Sequence, residues 1–282
     1  MKFTTPLLST LFTATALCAT GGAAVAGSIT ETGETVGLAL GAPLPEGVYF
    51  VDTSSYISRS NGVNAVVNIP VLAYSSPWKI LGGTVWGYIA VPEAAVGIEP
   101  PAGSGYFASM YNDAWLVGLA WNLGNGWGFS NVVGGYSPMD QQLETKVGLG
   151  CNCWVFNERA ALSYTANGWN LTAHVIYGVA GQDLEKHKQL TPDYVNYDLT
   201  FLKSFGKWEI GPVAYGSADA STPYSGYSQN SQFALGGFVG YSFGPIIVQY
   251  YMTHDVQQQN YGGEDTRAYL RFVVPLWNPK AS

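Results

Sequence analysis

The chain is poor in charge. Charged residues are 11% of its 282 positions, 12 Lys and Arg against 19 Asp and Glu, for a formal net charge of −7. That acidic balance argues against nucleic-acid binding, which needs basic surface. Beyond its N-terminal stretch the sequence also lacks any run near the roughly 18 apolar residues of a membrane-spanning helix. Histidine is sparse, and His174, His187 and His254 are scattered without the spacing of a metal site or a catalytic triad. Cysteine is nearly absent, at three residues.

What is abundant is apolar and aromatic surface: 47% hydrophobic and 14% aromatic, with nine Trp and nineteen Tyr. A chain this apolar without spanning helices fits a transmembrane β-barrel. Half of each strand then faces lipid, and Trp and Tyr gather at the two water interfaces. The competing reading is a secreted all-β sandwich or sugar-binding module.

The first residues read as a secretory signal. Lys2 supplies the positive start, Pro6 to Cys18 a short apolar run, and Ala24-Val25-Ala26 a small-residue cleavage site. Residues 1–26 are thus expected to be removed, which would make the charge balance one unit more acidic. A lipoprotein reading through Cys18 is disfavoured by the bulk of Leu17 before it. Residues 27–46 form an N-terminal periplasmic or plug segment, residues 47–277 the barrel and residues 278–282 a short tail.

Alternation of apolar and polar residues over about ten positions, broken by turns, recurs along residues 47–277. It predicts an all-β, up-and-down antiparallel barrel of the outer membrane with about twelve strands: 47–60, 64–74, 78–92, 113–122, 127–137, 154–165, 169–179, 193–204, 207–216, 231–242, 246–254 and 266–277. Short connections rich in turn residues fall at Ser75-Ser76-Pro77, Leu123 to Gly126, Ala166 to Gly168, Phe205-Gly206 and Phe243 to Pro245. Long ones fall at 93–112, 138–153, 180–192, 217–230 and 255–265. Strict alternation puts every tight turn on one face, read as periplasmic, and every long loop on the other, read as extracellular.

Parity sorts the side chains. Val195, Tyr197, Leu199 and Phe201 face lipid, whereas Tyr194, Asn196 and Asp198 face the lumen. Gln249 and Tyr251 point in, as do Arg267, Tyr269 and Arg271; Trp86 and Tyr88 join them. Six charges take inward parities, namely Asp52, Arg159, Asp198, Glu209, Arg267 and Arg271, and both signs are present to pair across the interior. Such a lumen is amphipathic and suits a moderately apolar solute better than a bare ion. These residues are the candidate solute path.

Several stretches carry a family likeness. Leu44-Pro45-Glu46-Gly47-Val48-Tyr49-Phe50, Asn68 to Tyr74, Ser75 to Gly83 and Tyr88-Ile89-Ala90-Val91-Pro92 resemble the outer-membrane "meta-pathway of phenol degradation" (SphA-like) transporter family. The resemblance implies a barrel associated with catabolism of aromatic or other hydrophobic compounds, and presumed by analogy with fatty-acid channels to admit them. It carries over no catalytic residues. The tail after Trp277 departs from barrels that end on the aromatic itself.

Other motifs yield little. Cys151-Asn152-Cys153 sits in a loop facing an oxidising exterior and reads as a disulfide or an incidental pair rather than a soft-metal site, which would need more ligands nearby. Gly124 to Gly128 imitates a phosphate loop but no helix follows, so it is a hairpin turn. Glu185 to Lys188 is a solvated charge cluster or a contact for lipopolysaccharide phosphates. The residues therefore predict a passive outer-membrane channel for small hydrophobic or aromatic compounds, not an enzyme, with no cofactor. Its expected partners are membrane lipid, lipopolysaccharide, the solute and the barrel-assembly machinery. The alternatives are an outer-membrane lipid-modifying enzyme and a structural or surface-binding barrel with a plugged lumen.

Overall fold

The computed structural model describes residues 27–279. The signal peptide read at residues 1–26, Cys18 included, and the end of the tail lie outside the described residues. Alternating side chains build fourteen strands: β1 (Gly47–Arg59), β2 (Val63–Ile80), β3 (Gly83–Ala90), β4 (Glu93–Ile98), β5 (Gly105–Met110), β6 (Ala114–Gly124), β7 (Trp127–Tyr136), β8 (Val155–Tyr164), β9 (Trp169–Ala180), β10 (Tyr194–Phe205), β11 (Trp208–Asp219), β12 (Ser231–Phe243), β13 (Ile246–Gln259) and β14 (Asp265–Trp277). Each pairs antiparallel with its neighbours, and β1 pairs with both β2 and β14. Twelve strands, all but β4 and β5, thereby close into a ring. Closure leaves the twelve-strand ring without a free edge, the condition for crossing lipid with strands.

β4 and β5 occupy what the sequence reads as a plain loop over 93–112. β4 continues the line of β3 past a break at Val91-Pro92 and pairs with the first third of β2, from Val63↔Ile98 to Asn68↔Glu93. β5 folds back on it. The long-loop end is thus raised on one side. The loop over 138–153 likewise contains a short helix, α1 (Gln142–Val147), begun by the Gln141 side chain accepting from the Leu143 amide and ended by Gly148 in the left-handed region. Leu143 and Val147 of α1 pack on Ala94 and Val96.

One tight turn moves. Ser75-Ser76-Pro77, expected to reverse the chain, lies inside β2, and the reversal comes at Leu81-Gly82, where both residues have positive φ. The ladder slips between Ser75 and Lys79, so the Ser-Ser-Pro run forms a bulge. The hydroxyls that suggested a turn instead bond inward: Ser75 Oγ donates to the Leu44 carbonyl at 2.9 Å and Ser76 Oγ to that of Val85 at 2.8 Å.

The outer face carries the expected belt. On β10, Leu199 and Phe201 are exposed while Tyr194, Asn196 and Asp198 are buried. Near the short turns, aromatic pairs pack at tilted to edge-on angles around the rim, Trp127 with Tyr164, Trp169 with Phe201 and Trp208 with Tyr241, their ring centroids 5.2, 5.3 and 4.6 Å apart. Amphipathic rings suit that depth, where lipid meets water.

Candidate functional site: the lumen

A barrel wall alone does not fill this interior; the segment before β1 enters it. Residues 28–44 run through the lumen against β7–β10 and β12–β14, and the polar inward residues of those strands hold its backbone. Asn196 Nδ2 donates to the Thr30 carbonyl at 3.1 Å, and the hydroxyls of Tyr136 and Tyr194 meet Thr30 Oγ1 at 2.8 and 2.9 Å. Asp198 accepts from the Gly33 and Thr35 amides at 3.2 and 3.0 Å and from the Thr35 hydroxyl. Tyr269 and Tyr251 donate to the carbonyls of Thr32 and Gly33 at 2.6 and 2.8 Å. Arg271 donates to the carbonyls of Val36 and Glu34. Lower down, Thr200 Oγ1 accepts from the Gly37 amide, Asn170 Nδ2 donates to its carbonyl, and Ser163 Oγ accepts from Gly41 N. An irregular chain inside a barrel has no ladder of its own, so wall side chains must satisfy its peptide groups.

Glycine lets the segment lie this close. Gly37 has φ +88°, and a Cβ there would sit 2.3 Å from the Phe238 ring. A Cβ on Gly41 would meet the Ser163 backbone nitrogen at 2.5 Å and the Gly128 carbonyl at 2.7 Å, backbone against backbone.

The opposite wall is different. Inward residues of β2 to β4 and β6 are almost all apolar, and Val51 and Ile57 of β1 join them: with Ala65, Val67, Ile69, Val71, Ala73, Trp86, Ala90, Ala94, Val96 and Ala114 they line two cavities between that wall and the segment. The outer one, toward the long loops, holds about 350 Å³ and the inner one about 390 Å³. Both are bounded by Glu34, Ile69, Pro92 and Tyr136, which form the neck between them. The interior is therefore split lengthwise, with a polar half that holds the segment and an apolar half left open.

The predicted lumen residues divide along the same line. Trp86, Tyr88 and Arg159 line the inner cavity and Arg267 the outer one. Tyr194, Asn196, Asp198, Tyr251, Tyr269 and Arg271 face inward but are occupied by the segment, and Gln249 Oε1 accepts from Arg271 at 3.0 Å. Glu209 takes an inward position beside the short turns, away from both cavities. Asp52 is a correction: it lies on the outer face. It sits directly opposite Phe272, which is exposed on the lipid side, and directly opposed residues share a face. The inward parity of β1 belongs instead to Val51, Thr53, Ser55 and Ile57.

The charges also pair differently from the expectation of bridges across the barrel. Arg159 Nη1 meets Glu34 Oε1 at 2.6 Å, and Arg267 meets Glu31 at 3.1 Å and Asp265 at 2.9 Å. Segment carboxylates supply the counter-charge of Arg159 and share that of Arg267 with Asp265 of the wall. Cys151 and Cys153 are joined in a disulfide beneath the long loops. In the Glu185 to Lys188 cluster, Lys186 is engaged by Glu144 at 3.1 Å and Asp183 at 3.8 Å.

Two classes of residue escaped the sequence reading. Glu31, Glu34 and Leu38 to Leu44 belong to a segment with no periodicity. Val67, Ile69, Val71 and Pro92 belong to β2 and its junction, and β2 did carry a signal: both its parities are apolar, Val66 with Val67 and Val71 with Leu72. A strand with lipid on one side and an apolar lumen on the other reads that way.

The neck and the two-sided lumen can be set beside known proteins. The family model described as "Putative MetA-pathway of phenol degradation" matches residues 42–272, most of the chain. The chain belongs to this family. No curated protein matches it by sequence. Among solved structures, the COG4313 outer membrane channel from Pseudomonas putida F1 superposes with a TM-score of 0.69 at 13% identity, covering 83% of this chain and 97% of that one. The NanC porin gives a TM-score of 0.49 at 12% identity over 81% of this chain and 100% of its own. The CymD monoaromatic hydrocarbon channel gives 0.49 at 10% identity over 86% and 92%. For this family member the first likeness establishes the barrel fold.

Proposed function

We propose that this family member is an outer-membrane channel that passively admits small hydrophobic or aromatic compounds. The observation that carries the reading is the lengthwise division of the lumen: one continuous apolar wall, from Ile57 and Val96 down to Val71 and Ala73, borders two cavities that meet at a neck. A wall of this kind offers dispersion and hydrophobic contact to an apolar solute and no hydration to an ion. The solute enters among the long loops, rests in the outer cavity, passes the neck beside Ile69 and Pro92, and leaves the inner cavity toward the short turns, driven by its concentration gradient. The family's description and the outer-membrane setting of the Pseudomonas channel support the location and the solute class. Membrane lipid, lipopolysaccharide and the barrel-assembly machinery are the partners that such a location brings.

An enzymatic reading finds a weak foothold in His174, Thr35 and Asp198, which are bonded in a row. The order is wrong for nucleophile activation. Thr35 stands between the other two and gives its single proton to Asp198, so His174 Nδ1 must donate to the hydroxyl rather than withdraw from it. The channel reading is tested by uptake of toluene into cells with and without the gene, together with conductance of the refolded protein in a planar bilayer. Slower uptake on deletion, and small openings partly blocked by toluene, are expected; unchanged uptake would remove the proposal.

A further inference from the structure

At the neck, where the two cavities meet, polar groups stand against the apolar wall, and those groups are only partly used. Arg159, 4% exposed, spends its guanidinium on Glu34 Oε1 at 2.6 Å, the Tyr136 hydroxyl at 2.9 Å and Asn157 Oδ1 at 2.7 Å. The Tyr136 hydroxyl is further engaged by Thr30. Two groups beside them have no hydrogen bond among the described residues: Glu34 Oε2 and the hydroxyl of Tyr88, whose ring lies 5.8 Å from the Arg159 guanidinium. Neither atom is sealed away from the cavities their residues line. An acceptor and a donor that face the cavity without a protein partner are free to bond a solute passing the apolar wall.

We propose that Glu34 and Tyr88 determine specificity by reading one hydroxyl on an otherwise apolar solute. This deepens the channel reading and rests on it. Glu34 Oε2 accepts the solute's O–H, and the Tyr88 hydroxyl donates to the same solute oxygen, while Ile69, Pro92 and Ala90 contact the carbon skeleton. The solute class is then a small phenol or aromatic alcohol, in preference to the bare hydrocarbon. An aromatic carboxylate is turned away, because it has no O–H to give Glu34 Oε2 and the neck's cation, Arg159, is already spent on Glu34.

The test uses the full mature protein, refolded in detergent, and isothermal titration with three probes that differ at one substituent: p-cresol, toluene and p-toluate. The wild type is expected to bind p-cresol about tenfold more tightly than toluene, the net worth of two modest hydrogen bonds, and p-toluate most weakly. Tyr88→Phe, which removes a single oxygen, weakens p-cresol about threefold, the worth of one of the two bonds, and weakens toluene less. Glu34→Gln, which strips Arg159 of its counter-charge, raises affinity for p-toluate while lowering that for p-cresol. Equal binding of p-cresol and toluene by the wild type, or a Tyr88→Phe loss shared equally by both, overturns the hydroxyl-reading proposal and leaves the channel reading standing. Failure of the wild type to bind even toluene overturns both.

Discussion

Arg271, without exposed surface, donates to Thr53 Oγ1 at 2.9 Å, Gln249 Oε1 at 3.0 Å, the Tyr251 hydroxyl at 2.8 Å and the carbonyls of Val36 and Glu34. It joins three wall strands to the segment, and each hydrogen bond from a charged group contributes about 1.5–3 kcal/mol. Arg271→Met keeps much of the bulk and loses those bonds. Amides at 33–37 are expected to exchange at least tenfold faster, which hydrogen exchange read by mass spectrometry would detect; unchanged exchange would mean the segment is held elsewhere. Gly37→Ala acts on the same segment through backbone strain of about 1–3 kcal/mol at its left-handed φ, plus the contact with Phe238. Faster protease cleavage within residues 27–46 at unchanged barrel melting is the expected result. In the loops, burial alone would raise the Asp183 carboxyl, but the amides of Lys186 and Glu185 and the Lys186 ammonium outweigh it and hold the group below its ordinary value. A depressed folded-state pKa stabilises above the unfolded value, near 3.9, and that stabilisation is lost as pH falls through the folded one. Amides around 183–187 are therefore expected to lose protection below about pH 4 while those of β9 and β10 keep it.

β2 and β10 show how much an element declares of its surroundings. β10 alternates cleanly, and its inward Asn196, Asp198 and Thr200 bond a peptide segment. β2 has apolar residues on both parities because one side meets lipid and the other meets the passage. Two strands of one barrel thus differ by what lies inside them, and the difference is visible in sequence once the segment's position is known. Ile69 tests the apolar side. Ile69→Glu places a second carboxylate at the neck opposite Glu34, and toluene uptake is expected to fall more than tenfold while the protein still runs as a heat-modifiable barrel on gels. Unimpaired uptake would show that solute travels elsewhere. Asp52 illustrates the limit of parity: β1 carries Ser and Thr on both faces over Thr53-Ser54-Ser55, so its pattern is weak, and only the pairing with Phe272 reveals the face.

At the scale of the molecule, twelve strands enclose more space than inward side chains fill, and the N-terminal segment takes up the polar half of it. Deletion of residues 28–44 removes Glu31 and Glu34 and exposes Arg159, Arg267 and Arg271 to the lumen. A wider, anion-preferring pore is the expected product, with conductance several-fold above the full mature chain in planar bilayers. A deletion variant that conducts no better would show that the long loops, rather than the segment, close the passage.

Strand number, closure and the separation of tight turns from long loops were all legible from alternation and turn residues, because each depends on local chemistry with a period of two. The β4–β5 hairpin and the bulge at Ser75 were less so, since both depend on which strand a stretch finds beside it. The site was half legible. Parity placed Trp86, Tyr88, Arg159 and Arg267 inside, yet it cannot distinguish a side chain that borders open space from one that bonds another part of the chain. That distinction rests on where residues 28–44 lie, and they are held by contacts more than a hundred positions away, such as Glu34 with Arg159 and Thr32 with Tyr269. Contacts of that range leave no periodic trace, so the division of the lumen into a held half and an open half belongs to the tertiary structure alone.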